Sequence, residues 1–416
     1  MYNLHLTAEQ LEMRDTVRDF VAREIRPIAL HPDRLQSHPQ PFPPAVLEQA
    51  SRMGLRTLAL SEAAGGAGAD SLTSCIVTEE LAAGDVGVAA VLGQTSMLAH
   101  ALFDQAMTPE QRARFLPQLV ADDGYHLAYA GIGPAFDADL GGSYHRPFAA
   151  EAGVRLSATR QGNGDWVVNG TTDFVANAPI AKLIAVDVRT DPKATGMRGV
   201  STLLVPRDTP GLALRKPAQN PDGEPLYVWH HGAGGEFVFK DCAVPAANLL
   251  GKEGASALAG GAAAMGRGSP LVQAMDIGVG RAAYEAAVDY AKLRIQGGRP
   301  IIEHQAIGTL LAEIAIRLEV ARTMVWKAAW AADHPAAYAD RSIADLPLQT
   351  MARVFTADAM HKVALKAAEV FGAMGVMRDM PLQQYVHDAL VFVHAGAGNS
   401  VETLKIAEAV AGYERP

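Results

Sequence analysis

The chain has 416 residues, 49% hydrophobic and 19% charged, an ordinary globular composition that is long enough for two or three domains with a substantial core. A formal net charge of −9 argues against a general nucleic-acid-binding role, and two cysteines, Cys75 and Cys242, exclude a disulfide framework and a zinc site. The start, MYNLHLTAEQ, lacks the basic, apolar, cleavable pattern of a signal peptide, and no apolar run approaches about 18 residues, so no membrane span is expected and the cytoplasm is the expected compartment.

Thr7-Ala-Glu-Gln10 reads as a capping box that opens a helix whose apolar face is Leu11, Val17, Phe20, Val21 and Ile25. Pro27 and a loop from Pro32 to Pro44 are expected to end it. Helices are expected from about Pro44 to Met53, Ser71 to Ala83 and Val86 to Phe103, and Thr108-Pro-Glu-Gln111 caps another that ends near Ala121. Short β-like runs bounded by Gly, Asn, Asp and Pro follow: His126–Ala130, Val154–Thr159, Trp166–Val168, Leu183–Val188, Thr202–Val205 and Phe237–Phe239. From about Ser256 the chain is helical again, and Gly278, Gly280, Ala282 and Ala283 allow close helix approach. One helix is expected to end near Arg294, a Gly-Gly-Arg-Pro turn follows, and the next begins around Glu303 with Ile307, Leu311, Ile314 and Leu318 as its buried stripe. The fold class is therefore α+β: an N-terminal helical domain (1–122), a middle domain built as a small β-barrel (123–246) and a C-terminal four-helix bundle (247–416).

The corner at Arg294 carries a resemblance. Arg294-Ile-Gln-Gly-Gly-Arg-Pro-Ile, then Glu303-His-Gln305-Ala-Ile, resembles the R-x-x-F-G-x-x-I…E-x-Q-A-I segment of the acyl-CoA dehydrogenase superfamily, with Gly297 where a Phe is usual. Trp166-Val-Val-Asn-Gly170, the run from Phe237-Val-Phe-Lys-Asp-Cys-Ala-Val-Pro245 to Asn248-Leu-Leu-Gly251, and Phe371-Gly-Ala-Met-Gly375 followed by Tyr385-Val-His-Asp388-Ala resemble further family motifs in the right order. The resemblance implies FAD as cofactor, an acyl-CoA or related thioester as substrate, a possible electron-transfer partner, and a homotetramer or a heteromer with a related chain. It also implies that Arg294 and Gln305 reach the FAD of a neighbouring subunit.

The family's site residues carry over unevenly. Its proton-abstracting Glu falls on Gly396, eight residues after Asp388, and the alternate Glu position falls on Gly268, so neither holds an acid. The flavin and pantetheine strip is Ile132-Gly-Pro134-Ala-Phe-Asp-Ala138-Asp139, keeping the Pro and the Asp. The strip beside the flavin ring is Phe174-Val175-Ala176, without an indole or a hydroxyl. Near the FAD diphosphate, Glu369 replaces a glutamine while Gly372 remains, and the last residue of the base tetrapeptide is Gly398. The implied cofactor-binding set is thus Ile132, Pro134, Phe174, Ala176, Arg294, Gln305, Glu369, Gly372 and Gly398, and the substrate set is Gln94, Ala138, Asp139 and Ala395.

His394, two residues before Gly396, is the candidate base, because a neutral imidazole can take a proton at neutral pH. Ser96 and His100 share the helix of Gln94 and can make an acyl pocket polar. Asp276 in LVQAMDIGVG is expected to form an interface salt bridge. The segments Leu140–Glu151, with Tyr144, His145 and Arg146, and Asn220–Gly232, with Trp229-His-His231, lengthen two loops; the His pair is not read as a metal site, and no metal is expected. Three functions fit: an FAD-dependent dehydrogenase acting on the CH–CH bond of an acyl thioester with a remodelled site, a non-catalytic partner subunit of a heteromeric dehydrogenase, and a flavin-dependent oxygenase on the same fold.

Overall fold

The structure is a computed structural model that describes residues 5–36, 41–131, 155–194, 198–215, 232–258, 270–335, 346–394 and 398–412. Helices come first: α1 (Ala8–Phe20), α2 (Arg26–Ala29), α3 (Pro32–Gln36), α4 (Pro44–Arg52), α5 (Ser71–Gly84), α6 (Val86–Ala99) and α7 (Pro109–Ala121). Strands β1 (His126–Ala130), β2 (Ser157–Arg160), β3 (Trp166–Thr171), β4 (Val175–Ala176), β5 (Ala181–Arg189), β6 (Val200–Pro206), β7 (Leu212–Leu214), β8 (Gly234–Gly235), β9 (Phe237–Val244) and β10 (Leu249–Leu250) follow. The chain then returns to helix: α8 (Pro270–Leu293), the ribbon β11 (Ile295–Gln296) and β12 (Arg299–Pro300), α9 (Gln305–Asp333), α10 (Leu348–Phe371), α11 (Leu382–His394) and α12 (Gly398–Ala411).

Both expected capping boxes form. The Thr7 hydroxyl accepts from the Gln10 backbone N–H at 3.2 Å while the Gln10 side chain accepts from the Thr7 N–H at 3.0 Å, and Thr108 and Gln111 repeat the arrangement. Pro27 does not end the first helix. Val21–Ile25 winds as a π turn, the Arg26 N–H bonds back to the Val21 carbonyl, and Pro27 sits in the first turn of α2, where a missing N–H breaks no hydrogen bond. Helix α3 occupies part of the segment expected to be loop.

The chain packs as two compact units. The helical unit combines residues 1–41, 70–90 and 268–412. In it α8 is the central helix: α5, α9, α10 and α11 all pack along it, and α1 packs on α5. The small residues carry this packing. A methyl group built on Gly278 would fall 2.6 Å from the Ala82 side chain and from the Glu79 carbonyl, and one on Gly280 would fall 2.5 Å from the Met360 sulfur. The expected stripe of α9 is present, with Leu311, Ile314 and Leu318 buried and Ile307 half-buried.

The second unit combines residues 42–69 and 91–267. Its eight-stranded sheet runs β10-β6-β5-β2-β3-β9-β7 with β1 alongside β5. Strand β5 is buried on both faces and alternates between two cores. Ile184, Val186 and Val188 join Trp166, Phe237 and Phe239 inside the curl of the sheet. Leu183 and Ala185 point the other way, against Leu98, Leu102, Phe103 and Leu119. Four short strands escape the periodicity argument: β4, β7, β8 and β10 have two or three residues each, too few for an alternation to register. The helical run Val86–Ala106 is 21 residues long with a mean hydropathy of 1.5, so it passes the length and composition test that no run was expected to pass; 72% of it is buried inside the fold, as a core helix is.

Candidate functional site

The corner of the helical unit is built tightly. Helix α8 ends at Leu293, and Ile295–Gln296 pairs antiparallel with Arg299–Pro300 across Gly297 and Gly298, whose φ values of +60° and +82° are those of a type I′ turn. The Ile301 N–H donates to the Arg294 carbonyl at 2.8 Å, and His304 Nε2 donates to the Gln296 carbonyl at 3.0 Å, so ribbon and helix start are tied together. Gln305 opens α9 directly after His304. Against this fixed backbone the Arg294 and Gln305 side chains are exposed and have no partner among the described residues.

Glu369 and Gly372 lie one turn apart at the end of α10. Gly372 caps that helix with φ of +59°, donating its N–H to the Glu369 carbonyl, and both residues are exposed. No cation pairs with the Glu369 carboxylate among the described residues. His394 is the exposed last residue of α11, and Gly398, at φ of +76°, is the first of α12. Ala395 and Gly396 lie outside the described residues, as do Gly268, Ile132, Pro134, Ala138, Asp139, all of 140–151 and the Trp229-His-His231 run.

The structure adds a second imidazole. His361 of α10 has a pKa lowered by burial, with the nearby His394 adding to the effect, and its Nδ1 is buried with no partner among the described residues. The two histidines are 33 positions apart, so no local spacing signals them. Asp276 lies 1% exposed in α8, and burial raises its pKa well above the ordinary aspartate value. Its Oδ1 has no partner among the described residues of this chain.

Charge in the helical unit concentrates elsewhere. Glu80 of α5 accepts from Arg281 of α8 (2.7 Å to each oxygen) and from Arg18 of α1 at 2.7 and 3.1 Å. Burial opposes its charge, but the hydrogen bonds from Arg281 and Arg18 hold its carboxyl below the usual range. The adjacent Glu79 pairs with Arg322 of α9 at 2.7 Å.

In the sheet unit, the strip Phe174-Val175-Ala176 enters β4 at Val175, and β4 pairs with β8 across Val175–Gly235 and Ala176–Gly234. Phe174 is 38% exposed, and its ring lies across Gly234, where an added methyl group would fall 1.9 Å from the ring edge. The strip ends in Asn177, a left-handed non-glycine residue with φ of +63° that is 1% exposed. Its side-chain amide donates to the Val91 carbonyl (3.1 Å), Thr95 Oγ1 (3.2 Å) and the Leu127 carbonyl (3.2 Å). Thr95 Oγ1 lies 3.1 Å from Nδ1 of His126. Burial, with help from the positive charges of Arg56 and Lys182, pushes the His126 pKa down to about 4, so its ring is neutral; Thr95 Oγ1 already accepts from Asn177 and from the Leu127 N–H (3.4 Å), so its own proton goes to Nδ1.

Gln94 is half-buried on α6, and its neighbours are committed within the fold. Ser96 Oγ accepts from the Ala59 N–H at 2.9 Å, and His100 pairs with Asp104 at 2.8 Å.

A unit of packed helices and a unit with a curled sheet define the class of protein. Residues 7–123, 149–225 and 259–411 match the family descriptions for the acyl-CoA dehydrogenase N-terminal, middle and C-terminal domains. The chain belongs to the acyl-CoA dehydrogenase family. It is 30% identical to an acyl-CoA dehydrogenase of Bacillus subtilis (strain 168) over 410 residues, covering 98% of this chain and 100% of that one. A mitochondrial isobutyryl-CoA dehydrogenase of Dictyostelium discoideum is also 30% identical, over 93% of this chain and 85% of its own. The solved butyryl-CoA dehydrogenase of Megasphaera elsdenii superimposes with a TM-score of 0.82 at 26% identity, covering 99% of this chain and 100% of that one.

Proposed function

We propose that the chain is an FAD-dependent oxidoreductase acting on the CH–CH bond of an acyl-CoA or related thioester through a remodelled active site. Family membership supports the reaction class, and the Arg294 corner carries the cofactor argument. The residues present fit the group in charge and shape. A guanidinium and a carboxamide stand exposed on a rigid corner with no partner among the described residues, which suits an anionic diphosphate. Phe174 offers a half-exposed aromatic surface seated on Gly234, which suits a planar ring. Glu369 is the one discordant group, because an exposed carboxylate beside a phosphate is repelled.

When bound, FAD supplies the acceptor for the hydride that leaves the β carbon. This chain's residues do the rest. Arg294, Gln305 and Gly372 hold the polar end of the cofactor, and Phe174 and Ala176 flank its ring. The strip around Pro134 and Ile132, with Gly398, completes that set. Gln94, Ala138, Asp139 and Ala395 contact the thioester, and His394 accepts the α proton. The reading further proposes three domains, 1–122, 123–246 and 247–416, in a cytoplasmic homotetramer that passes its electrons to a separate carrier protein.

A second reading has a specific sequence observation behind it. With glycine at both 396 and 268, the chain would be the non-catalytic partner of a related subunit that brings the carboxylate. The visible spectrum of the protein purified alone, with and without added FAD, followed by anaerobic addition of acyl-CoA thioesters, separates the two. Bound flavin near one per chain that bleaches on thioester addition, and a His394→Ala variant that binds FAD but does not bleach, support the first. A colourless protein that takes up flavin only when mixed with a related chain supports the second and overturns the first.

A further inference from the structure

We infer that Asn177 is the positioning residue that fixes the Phe174–Ala176 wall, acting through a buried neutral chain that runs from Asn177 to Thr95 to His126. The inference rests on reading that strip as the wall beside the flavin ring.

Asn177 is held through its backbone and through its side-chain nitrogen. Its backbone N–H donates to the Ala233 carbonyl at 2.7 Å, just before β8, and its own carbonyl accepts from Ile180 (3.0 Å) and Ala181 (2.8 Å) at the start of β5. Its side-chain amide reaches two other elements, α6 through Val91 and Thr95, and β1 through Leu127. One left-handed residue therefore ties the end of β4 to β8, β5, α6 and β1 together. A non-glycine residue keeps a positive φ only when its surroundings over-determine it, and strain of that kind gathers where a backbone has to be held in one place.

The polarity of the chain follows from its protonation. Thr95 Oγ1 is wholly buried and receives the Asn177 amide, so its own proton points to His126 Nδ1, 3.1 Å away. A neutral His126 has that lone pair free to accept, so the three side chains of the chain hold together with no formal charge among them. The consequence for the wall is positional. With Asn177 fixed, the β4–β8 ladder is in register and the Phe174 ring is laid over Gly234; without it, the two-residue strand β4 has little else to hold it.

The test uses three variants of the full chain. Asn177→Gly keeps access to positive φ and loses the amide, Thr95→Val removes the hydroxyl at nearly constant volume, and Phe174→Trp alters the wall itself. FAD dissociation constant, position of the flavin visible band, flavin midpoint potential and thermal unfolding of the apoprotein are measured on each. Asn177→Gly and Thr95→Val are expected to weaken FAD by about tenfold and to shift the band and potential while the apoprotein still unfolds cooperatively. Phe174→Trp is expected to move the band. If Phe174→Trp moves it while Thr95→Val and Asn177→Gly leave affinity, band and potential as in the parent, the inference is overturned and the wall stands. If Phe174→Trp leaves band and affinity untouched, the reading of the strip itself is overturned. Should Asn177→Gly fail to fold, Thr95→Val decides on the same readouts.

Discussion

Two buried polar networks, one in each unit, are built in opposite ways. Where helices converge, the helical unit uses full charges: Glu79 and Glu80 on α5, met by Arg281, Arg322 and Arg18 from three other helices. Where β4 meets α6 and β1, the Asn177 network of the sheet unit uses an amide, a hydroxyl and an unprotonated imidazole. Helix–helix contacts have self-satisfied backbones, so a buried carboxylate there has to be answered by long arginine side chains. A two-residue strand leaves backbone carbonyls unanswered, and short neutral donors such as Asn177 answer them without the desolvation cost of an ion.

The largest effect is expected at Glu80. Replacing it with Ala leaves Arg281, whose side chain is 12% exposed, without its bidentate partner, and a buried pair broken on one side costs on the order of 3–5 kcal/mol. Urea unfolding of Glu80→Ala against the parent reads this; a loss under about 1 kcal/mol would mean the cluster behaves as a surface pair.

The next test separates the two units by pH. His126 takes a proton near pH 6.5 when unfolded but only near pH 4 in the folded protein, so between those values the unfolded chain binds more protons. Its stabilisation is complete above pH 6.5 and is lost as the pH falls towards 4, on the order of 3 kcal/mol in total. Glu80, with a lowered folded pKa, loses its contribution only at lower pH, below the ordinary range for Glu. Stability measured from pH 7 to 5 is therefore expected to fall in the parent and to fall less in His126→Asn. Equal slopes would mean that the imidazole is charged in the fold.

These two networks also mark where sequence reasoning stops. The capping boxes, the stripe of α9, the Gly-Gly corner and the small residues of α8 were legible because each is a local pattern with a local physical cause. Asn177 had no local signal, because the two-residue β4 is too short to register, and its partners Thr95 and Leu127 come from distant elements. His126 and Thr95 are separated by 31 positions, and Glu80 and Arg281 by 201, so tertiary packing alone pairs them. Pro27 misled because a π turn, which has no sequence signature of its own, absorbs it. Arg294, Gln305 and Glu369 were assigned by resemblance, and the structure supplies what resemblance lacked: how their backbones are held and that their side chains are exposed.

Arg294 is the counterpart of Arg281, the same side chain in the opposite setting. Arg294→Ala is expected to leave urea unfolding of the apoprotein within about 0.5 kcal/mol of the parent. Its effect falls on FAD affinity, weakened by about tenfold or more for the loss of one charge-assisted contact. Binding measured by flavin fluorescence checks it. Unchanged affinity with lowered stability would reverse the assignment and make this arginine a structural residue like Arg281.

The smallest expected effect compares two left-handed positions. Asn177 holds its positive φ through six hydrogen-bonding partners, whereas Gly298 holds φ of +82° in the type I′ turn with nothing within 4 Å of where a methyl group would stand. Gly298→Ala therefore meets no clash, and its whole cost is backbone strain, about 1–2 kcal/mol. Gly298→Asn, which tolerates that conformation, is expected to recover most of the loss. Thermal unfolding of the two variants reads the difference. If Ala and Asn cost the same at this position, the turn relaxes to another geometry, Arg294 and Gln305 are no longer held by a rigid corner, and FAD affinity should fall in both variants alike.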